Sequence, residues 1–428
     1  MLDLRSIKED PSRIKKDLEK RFQNDKIKWV DELIGLDKEL KNLKKQAEDL
    51  RHRRNNLSHE INNAKKEKRD INPILEEAKV IPIKIKQIEE KQEDISKKLD
   101  FYLMRLPNYL GPSVPVGKDE TESKTIRKFG VIPRFKFKLK GHEELGLSLG
   151  LLDIERAAKI SGARFYFLKG DLALLELAIM RCAIDFITKK GYELIIPPFM
   201  MRRAPYEGVV DLTDFEEVLY KIENEDLYMI ATSEHPLTAR FNDEVIDLKD
   251  LPIKNVGFST NFRKEAGAHG KDTKGIFRVH QFNKVEQVII CNPKDSWKYH
   301  EELIKNIEGF FKLLKIPFRI VDICTGDLGS VAAKKYDLES WMPVQSQYRE
   351  MGSCSNCTDY QARRLNIKYL GKNNEREVVH TLNSTLVTDR ALVAILENYQ
   401  QKDGSVKIPT VLQKYMNGKK KITLNKLS

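Results

Sequence analysis

The stretch NFRKEAGAHGKDTKGIFRVHQFNKVEQ, residues 261–287, sets an Arg-x-Glu pair before a glycine-rich loop and then a run of period-two alternation. Such alternation marks a half-buried strand, so the stretch predicts two strands joined by the loop. From Ile276 the alternation places Arg278, Phe282 and Glu286 on one face, each four residues from the next. At about 3.3 Å per residue, four residues span roughly 13 Å, the scale of an adenylate carrying a small acyl group. Phe282 offers a ring on which a base can stack. Arg278 can meet phosphate, and Glu286 can bind an ammonium or a hydroxyl. Arg263 and Glu265 share a face on the preceding strand, and the planar fork of an arginine can bridge a phosphate and a carboxylate. The competing reading is a charged two-stranded ribbon with a solvated face, and periodicity does not separate the two.

Around this stretch, short β-like runs alternate with amphipathic helices. The runs are YELIIPP (192–198), DLYMIAT (226–232), NVGFST (255–260), IFRVHQFNKVEQVII (276–290) and VVHTLNST (378–385). Helices are expected at 171–190, 295–315 and 388–400. Several strands alternate and are joined by short loops, which predicts an α+β domain with an antiparallel sheet flanked by helices.

The N-terminal part is different. Residues 1–22 read as a short strand-like opening and a helix, with Asp10 as cap and Pro11 at the first helical position. Trp29, Leu33, Leu36, Leu40, Leu43, Ala47, Leu50, Leu57, Ile61 and Ala64 then recur in steps of four and three, with Arg54 intruding. Ile74, Ala78, Ile81, Ile85, Ile88, Ile95, Leu99, Tyr102 and Leu106 repeat the pattern, with Gln92 as the polar exception. Both are seams of period 3.5. The polar NAKKEKRDINP between them predicts a turn, and hence an antiparallel helical hairpin with arms of about 50 Å at 1.5 Å per residue. Pro82 should kink the second arm. Lys41, Lys44, Lys45, Arg51, Arg53, Arg54, Lys65, Lys66, Lys68 and Arg69 crowd the first arm and the tip. They make either a solvated coiled-coil face or a surface for phosphate backbone. LPNYLGPSVPVGKDE ends the seam, dividing the chain into a hairpin domain (1–106), a linker (107–120) and a sheet domain (121–428).

Composition agrees with this division. The 428 residues suffice for two domains, and a charged fraction of 33 % calls for a long solvated surface. A net charge of +12 suits an acidic polymer as partner. Five cysteines in so long a chain do not form a disulfide framework. No apolar signal segment opens the sequence and no apolar run approaches membrane-spanning length, so a soluble cytoplasmic protein is expected.

The motifs point further. FRKEAGAHGKDTKGIFRVHQFNKVEQ resembles motif 2 of the seryl-tRNA synthetases, members of the class II aminoacyl-tRNA synthetases. YREMGSCSNCTDYQARR (348–364) and TLNSTLVTDRALVAILENYQ (381–400) resemble the segments leading into and forming motif 3. GYELIIPPFM resembles motif 1, which in this class builds the dimer interface. MLDLRSIKEDPSRIKKDLEKR and SVPVGKDE resemble the family's N-terminus and linker, so the likeness runs from Met1 to about Tyr415.

The resemblance implies ATP and L-serine as substrates, Mg²⁺ as cofactor, a serine tRNA bound by the hairpin, and a homodimer. It implies that Thr232, Ser233 and Glu234 of TSEH bind serine with Glu286, Asn383 and Thr385. It puts Arg263 at the α-phosphate, Glu265 near the adenine, Arg278 at the γ-phosphate and Phe282 under the adenine, with Val279 beside them. Glu350 and Ser353 would hold Mg²⁺ and phosphate, with Met351 and Gly352 between them, and Arg390 would reach the γ-phosphate. Arg263, Glu286 and Arg390 would carry catalysis. The chemistry is consistent: carboxylate attack on the α-phosphate gathers negative charge that arginines and Mg²⁺ stabilise, without a covalent enzyme intermediate.

Two positions depart from the family. Residue 352 is Gly where Ser is common. Asp389 precedes Arg390 where a small residue is common, and the spacing from Asn383 to Arg390 is one residue shorter than usual. Asp389 could weaken ATP binding or point away to solvent, and the second is expected. Cys354-x-x-Cys357 resembles half a zinc site but has no second pair close in sequence, so no zinc is expected. His269, His280 and His380 are expected to be structural rather than general bases. Two rival functions remain, a synthetase-like enzyme that loads a carrier protein and a non-catalytic RNA-binding scaffold. The long basic hairpin argues against the first. Arg263, Glu286, Glu350 and Arg390 together argue against the second.

Overall fold

The computed structural model describes residues 1–211, 217–265 and 275–424. Contacts divide the chain into two units. One comprises Leu2–Glu19 and Gln23–Leu106. The other comprises Met1, Lys20–Phe22 and Pro107–Ser428.

In the first unit the opening segment is helical, with short helices at Leu4–Glu9 and Pro11–Lys20, and not strand-like as the sequence suggested. Asp3 explains the difference, because its carboxylate accepts the Arg5 N–H and caps the first helix. Asp10 caps the second by accepting the Arg13 N–H at 3.2 Å. Two long helices follow, α1 (Ile27–Lys66) and α2 (Asn72–Leu103). At 40 residues α1 is about 60 Å long at 1.5 Å per residue. Seam residues Leu57, Ile81 and Ile85 pack together, with Leu50, Ile74 and Ala78 against them. Arg51–Glu89 and Arg53–Glu77 ion pairs, at 2.7 and 2.8 Å, tie the arms antiparallel. Pro82 lies inside α2, which runs through it as one helix.

In the second unit an eight-stranded sheet is built from β1 (Lys124–Phe129), β2 (Glu193–Ile195), β3 (Ile253–Phe262), β4 (Gln281–Cys291), β5 (Phe318–Asp322), β6 (Lys334–Met342), β7 (Gln347–Thr358) and β8 (His380–Thr388). Its spatial order is β1-β5-β6-β7-β8-β4-β3-β2. Every pairing is antiparallel except that of the edge strand β2 with β3. Helices α3 (Gly170–Thr188), α5 (Ser296–Leu314) and α6 (Arg390–Tyr399) supply the main core against one face. The short α4 (Glu234–Ala239) packs on β3 and β4. Among the described residues no helix is long and apolar enough to cross a membrane.

Alternation along β4 sorts its side chains. Val285, Ile289 and Cys291 enter the helix-side core, and Gln287 bonds Asn306 of α5 at 2.8 Å. Phe282, Lys284 and Glu286 therefore share the opposite parity.

Candidate active site

Two strand ends differ from the sequence reading, and both shape the site. β3 stops at Phe262. Glu265 has φ +51°, in the left-handed region, so Arg263 and Glu265 lie beyond the strand and not on it. β4 starts only at Gln281, so Arg278 and Val279 precede it. There the backbone bonds a side chain in place of a neighbouring strand: the Ile276 N–H donates to His142 Nε2 at 3.2 Å.

Arg278 still reaches the same cleft, where its guanidinium pairs with Glu265 at 2.7 Å. This cleft is lined by Arg263, Glu265, Arg278, Val279, Phe282, Glu350, Met351, Gly352, Ser353, Thr385, Asp389 and Arg390. The Arg263 guanidinium stands 5.1 Å from the Phe282 ring centroid.

Two bulges build the far wall. Pairing of β6 with β7 shifts register between Leu338 and Glu339, which leaves Met351 without its own partner. The extra residue reverses the alternation. Met351 is buried in the helix-side core, and Glu350 is left on the side of Ser353. A second shift, between Thr385 and Val387, lets Leu386 and Val387 both enter the core while Thr388 returns to the cleft. Arg390, at the start of α6, donates to the Glu350 carbonyl at 2.9 Å and to its carboxylate at 3.2 Å. Packing around Glu350 works to raise its pKa, but Arg390, Lys335 and Arg263 outweigh it and hold the carboxyl at about 2. Glu350 is therefore an anion at any physiological pH.

A second cavity shares Arg263, Lys284 and Ser353 with the first and continues past Thr232, Glu234, Cys357 and Asn383. Its floor is a buried polar network. Lys284 pairs with Glu286 at 2.6 Å and donates to Thr232 Oγ1 at 3.0 Å. Glu234 accepts from Gln361 and Asn383, both at 2.9 Å. Burial and the neighbouring Glu286 push the Glu234 carboxyl up to about 7, against the pull of Lys284. Burial also raises Glu286, which Lys284 and Thr385 partly offset. Glu286 lies opposite Thr385 across the β4–β8 ladder. Ser233 is apart from this group: fully buried, its hydroxyl donates to the Gly257 carbonyl at 3.4 Å.

Lys284, Lys335 and Gln361 reach this site without having been singled out from the sequence, and Cys357 was weighed there only as a zinc ligand. Lys284 was readable, since it lies between Phe282 and Glu286 at the same parity. The other three needed the fold.

The histidines have other partners. His280 Nδ1 contacts the Arg263 carbonyl at 2.8 Å and Tyr220 Oη at 3.0 Å. His380 Nδ1 contacts Ser296 Oγ at 2.9 Å, and burial lowers its pKa to about 4. His269 lies outside the described residues. Cys354 and Cys357 are free and buried. Among the described residues no three His, Cys, Asp or Glu side chains group as metal ligands.

The two departures are resolved in space. A Cβ on Gly352 would stand 2.9 Å from Thr385 Cβ and 3.0 Å from its Cγ2 and carbonyl oxygen, so the position has no room for a side chain. Asp389 does not face solvent, contrary to expectation. It is 3 % exposed and accepts from the Tyr166 hydroxyl and the Asn283 N–H, both at 3.0 Å.

Known proteins resemble this chain in sequence and fold. Residues 217–399 match the tRNA synthetase class II core domain (G, H, P, S and T), and residues 1–110 match the seryl-tRNA synthetase N-terminal domain. A serine–tRNA ligase of Methanospirillum hungatei is 52 % identical over 98 % of this chain and 99 % of its own. The crystal structure of seryl-tRNA synthetase from Pyrococcus horikoshii complexed with ATP superimposes with a TM-score of 0.94 at 48 % identity, covering both chains fully. That of the cytoplasmic serine–tRNA ligase of Naegleria fowleri in complex with AMP gives 0.88 at 38 % identity, covering 99 % of each.

Proposed function

The chain belongs to the seryl-tRNA synthetase family of class II enzymes, and from that premise we propose how its own residues divide the work. The enzyme activates L-serine with ATP to seryl-adenylate and transfers serine to the 3′-terminal adenosine of its tRNA. The observation that carries the division is the contiguity of the two cavities through Arg263, Lys284 and Ser353. One is rich in arginine and suits a nucleoside triphosphate. The other has Thr232, Glu234 and Asn383 in its lining, beside the buried Lys284–Glu286 pair, and suits an amino acid.

Arg263 stands at the junction, where a carboxylate and an α-phosphate would meet. Its fixed positive charge there stabilises charge gathering on phosphorus without reorganisation. Phe282 receives the adenine, and Arg278 and Arg390 hold the terminal phosphates. Arg278 must leave Glu265 to do so, which frees Glu265 for the adenine amino group. Glu286, Glu234 and Thr232 take the ammonium and hydroxyl of serine. Glu350 is ionised and lies beside the Ser353 hydroxyl, a donor pair that suits Mg²⁺. When bound, Mg²⁺ supplies charge neutralisation across the phosphates.

The boundaries at 106 and 120 separate tRNA binding from activation. Lys44, Lys45, Arg54, Lys65, Lys66 and Lys68 have no ion-pair partner among the described residues, which supports a phosphate-binding role for the first arm and the tip. A homodimer through the region of motif 1 is supported by the exposed apolar side chains of Leu177, Leu194, Ile196 and Met200 beside the short edge strand β2. The test is serine-dependent exchange of pyrophosphate into ATP, followed by charging of a serine tRNA. Exchange that is serine-specific and independent of tRNA is expected. Exchange with another amino acid in place of serine would overturn the assignment.

A further inference from the structure

Asp389 is a site of departure from the family and is enclosed by groups from three other parts of the fold. Its Oδ2 accepts from Tyr166 and from the Asn283 N–H, both at 3.0 Å. Its Oδ1 is buried with no donor among the described residues. Beside it stands the carboxyl of Glu176 on α3, which also accepts from Asn283 Nδ2. The Asn283 side-chain oxygen in turn accepts from Thr260 Oγ1 of β3 at 2.8 Å. Two carboxyls in contact, one buried and the other partly buried, bond each other only if one keeps a proton. Both donors to Asp389 end on Oδ2, so the one proton is shared between Glu176 and the otherwise unpartnered Oδ1. Burial first, and then the facing carboxyl, drive Asp389 well above the ordinary carboxylate range. Glu176 is raised as well, by burial.

The backbone context gives the pair its purpose. The β4–β8 ladder ends at the pairing of Lys284 with Thr388. The next N–H of β4, on Asn283, has lost its partner strand, because the chain turns into α6. The Asp389 side chain takes the place of the missing carbonyl. Phe282 precedes Asn283, and Arg390 follows Asp389, and both line the ATP cleft.

We infer that Asp389 and Glu176 form a proton-sharing carboxyl clasp that fixes Phe282 relative to Arg390, making both of them positioning residues for ATP. The clasp rests on the reading of this cleft as the ATP site. Asp389 itself lines the cleft, and the clasp holds the two walls at one spacing.

The test measures ATP affinity by calorimetry, and serine-dependent exchange kinetics, on the full-length protein. Exchange in the unaltered enzyme judges the ATP-site reading. Calorimetry judges the clasp even if exchange is absent, and no ATP binding by the unaltered protein would overturn both. Asp389→Ala and Glu176→Leu should each weaken ATP binding about tenfold and raise KM for ATP alike, with kcat and KM for serine within about twofold. Glu176→Gln, whose amide N–H replaces the shared proton, should keep most of the affinity. The double variant should be no worse than the worse single one. Unchanged ATP affinity in Asp389→Ala, or Glu176→Gln as damaging as Glu176→Leu, would overturn the clasp. If thermal melts show that Asp389→Ala does not fold, Asp389→Asn and Glu176→Gln decide. Both should then bind ATP within about threefold of the unaltered protein, and loss in both would refute it.

Discussion

Replacing Gly352 by Ser restores the residue common in the family, and on sequence alone it should add a hydroxyl beside the phosphate ligands. The structure predicts the reverse. A Cβ at 352 meets Thr385 Cβ at 2.9 Å, its Cγ2 at 3.0 Å and its carbonyl oxygen at 3.0 Å. The carbonyl belongs to a central strand and cannot swing aside. Forcing an extra group into such a place costs about 1–3 kcal/mol. For a unit of this size that lowers Tm by about 2–6 °C. The strain falls on Thr385, which faces Glu286 across the ladder, so serine binding should weaken as well. Calorimetric melts and serine titrations of Gly352→Ser check both. Adding Thr385→Ser removes only Cγ2 from the three contacts, so recovery of Tm should be partial. An unaltered Tm with tighter ATP binding in Gly352→Ser would show that the strand has slack and that the missing hydroxyl is a true loss.

Other outcomes follow from the same site. Glu286→Ala should abolish serine-dependent exchange while ATP binding persists, and near-normal exchange would refute its role. Alanine should be activated about 10⁴-fold less well than serine, because the buried partners of the hydroxyl would be left unpaired; competitive exchange measures this. Glu234 titrates near 7 in the fold against about 4.5 unfolded, so the stability it contributes below pH 4.5 is lost as pH rises through 7. The loss amounts to about 3 kcal/mol. Denaturant titrations of Glu234→Gln should show a flatter curve over that window, and an identical slope would count against the burial argument. Replacing residues 28–100 by a short Gly/Ser turn should spare activation and remove most tRNA charging. In the intact protein, tRNA affinity should fall steeply with salt, by up to about 10³–10⁵ between 50 and 200 mM; filter binding reads this, and full charging by the shortened protein would give the hairpin another purpose.

The hairpin was legible because a period of 3.5 is a local property, and every seam residue declares its own side. The strand holding Phe282 and Glu286 was legible for the same reason. What could not be read was where alternation fails. Met351 reverses the parity of β7, and Glu265 turns the chain out of β3. Neither leaves a mark in the order of residue types. Strands β5 and β6 were also obscured, because Lys334 and Asp322 sit buried as a pair at 2.9 Å where apolar residues would be expected. Asp389 was misjudged as solvent-facing because its partners, Tyr166, Glu176 and Asn283, are more than a hundred residues away in the chain. An isolated charge reads as a surface charge until the groups that neutralise it are brought together.

Strand β4 presents Phe282, Lys284 and Glu286 at every second residue, so under the roles proposed above the chain itself is the ruler between the base of the nucleotide and the amino group of the acid. Its graduations are about 6.7 Å. A point substitution changes one mark, whereas an insertion or deletion of one residue turns all later side chains to the opposite face. Val285 would then face the ligands, and Glu286 the helix-side core. The hairpin has no such rule, since its arms can grow or shrink by whole heptads without losing the seam. Length variation among related proteins should therefore collect in the arms in steps of about seven and be missing from β4, a pattern of gaps set by geometry before selection for activity acts.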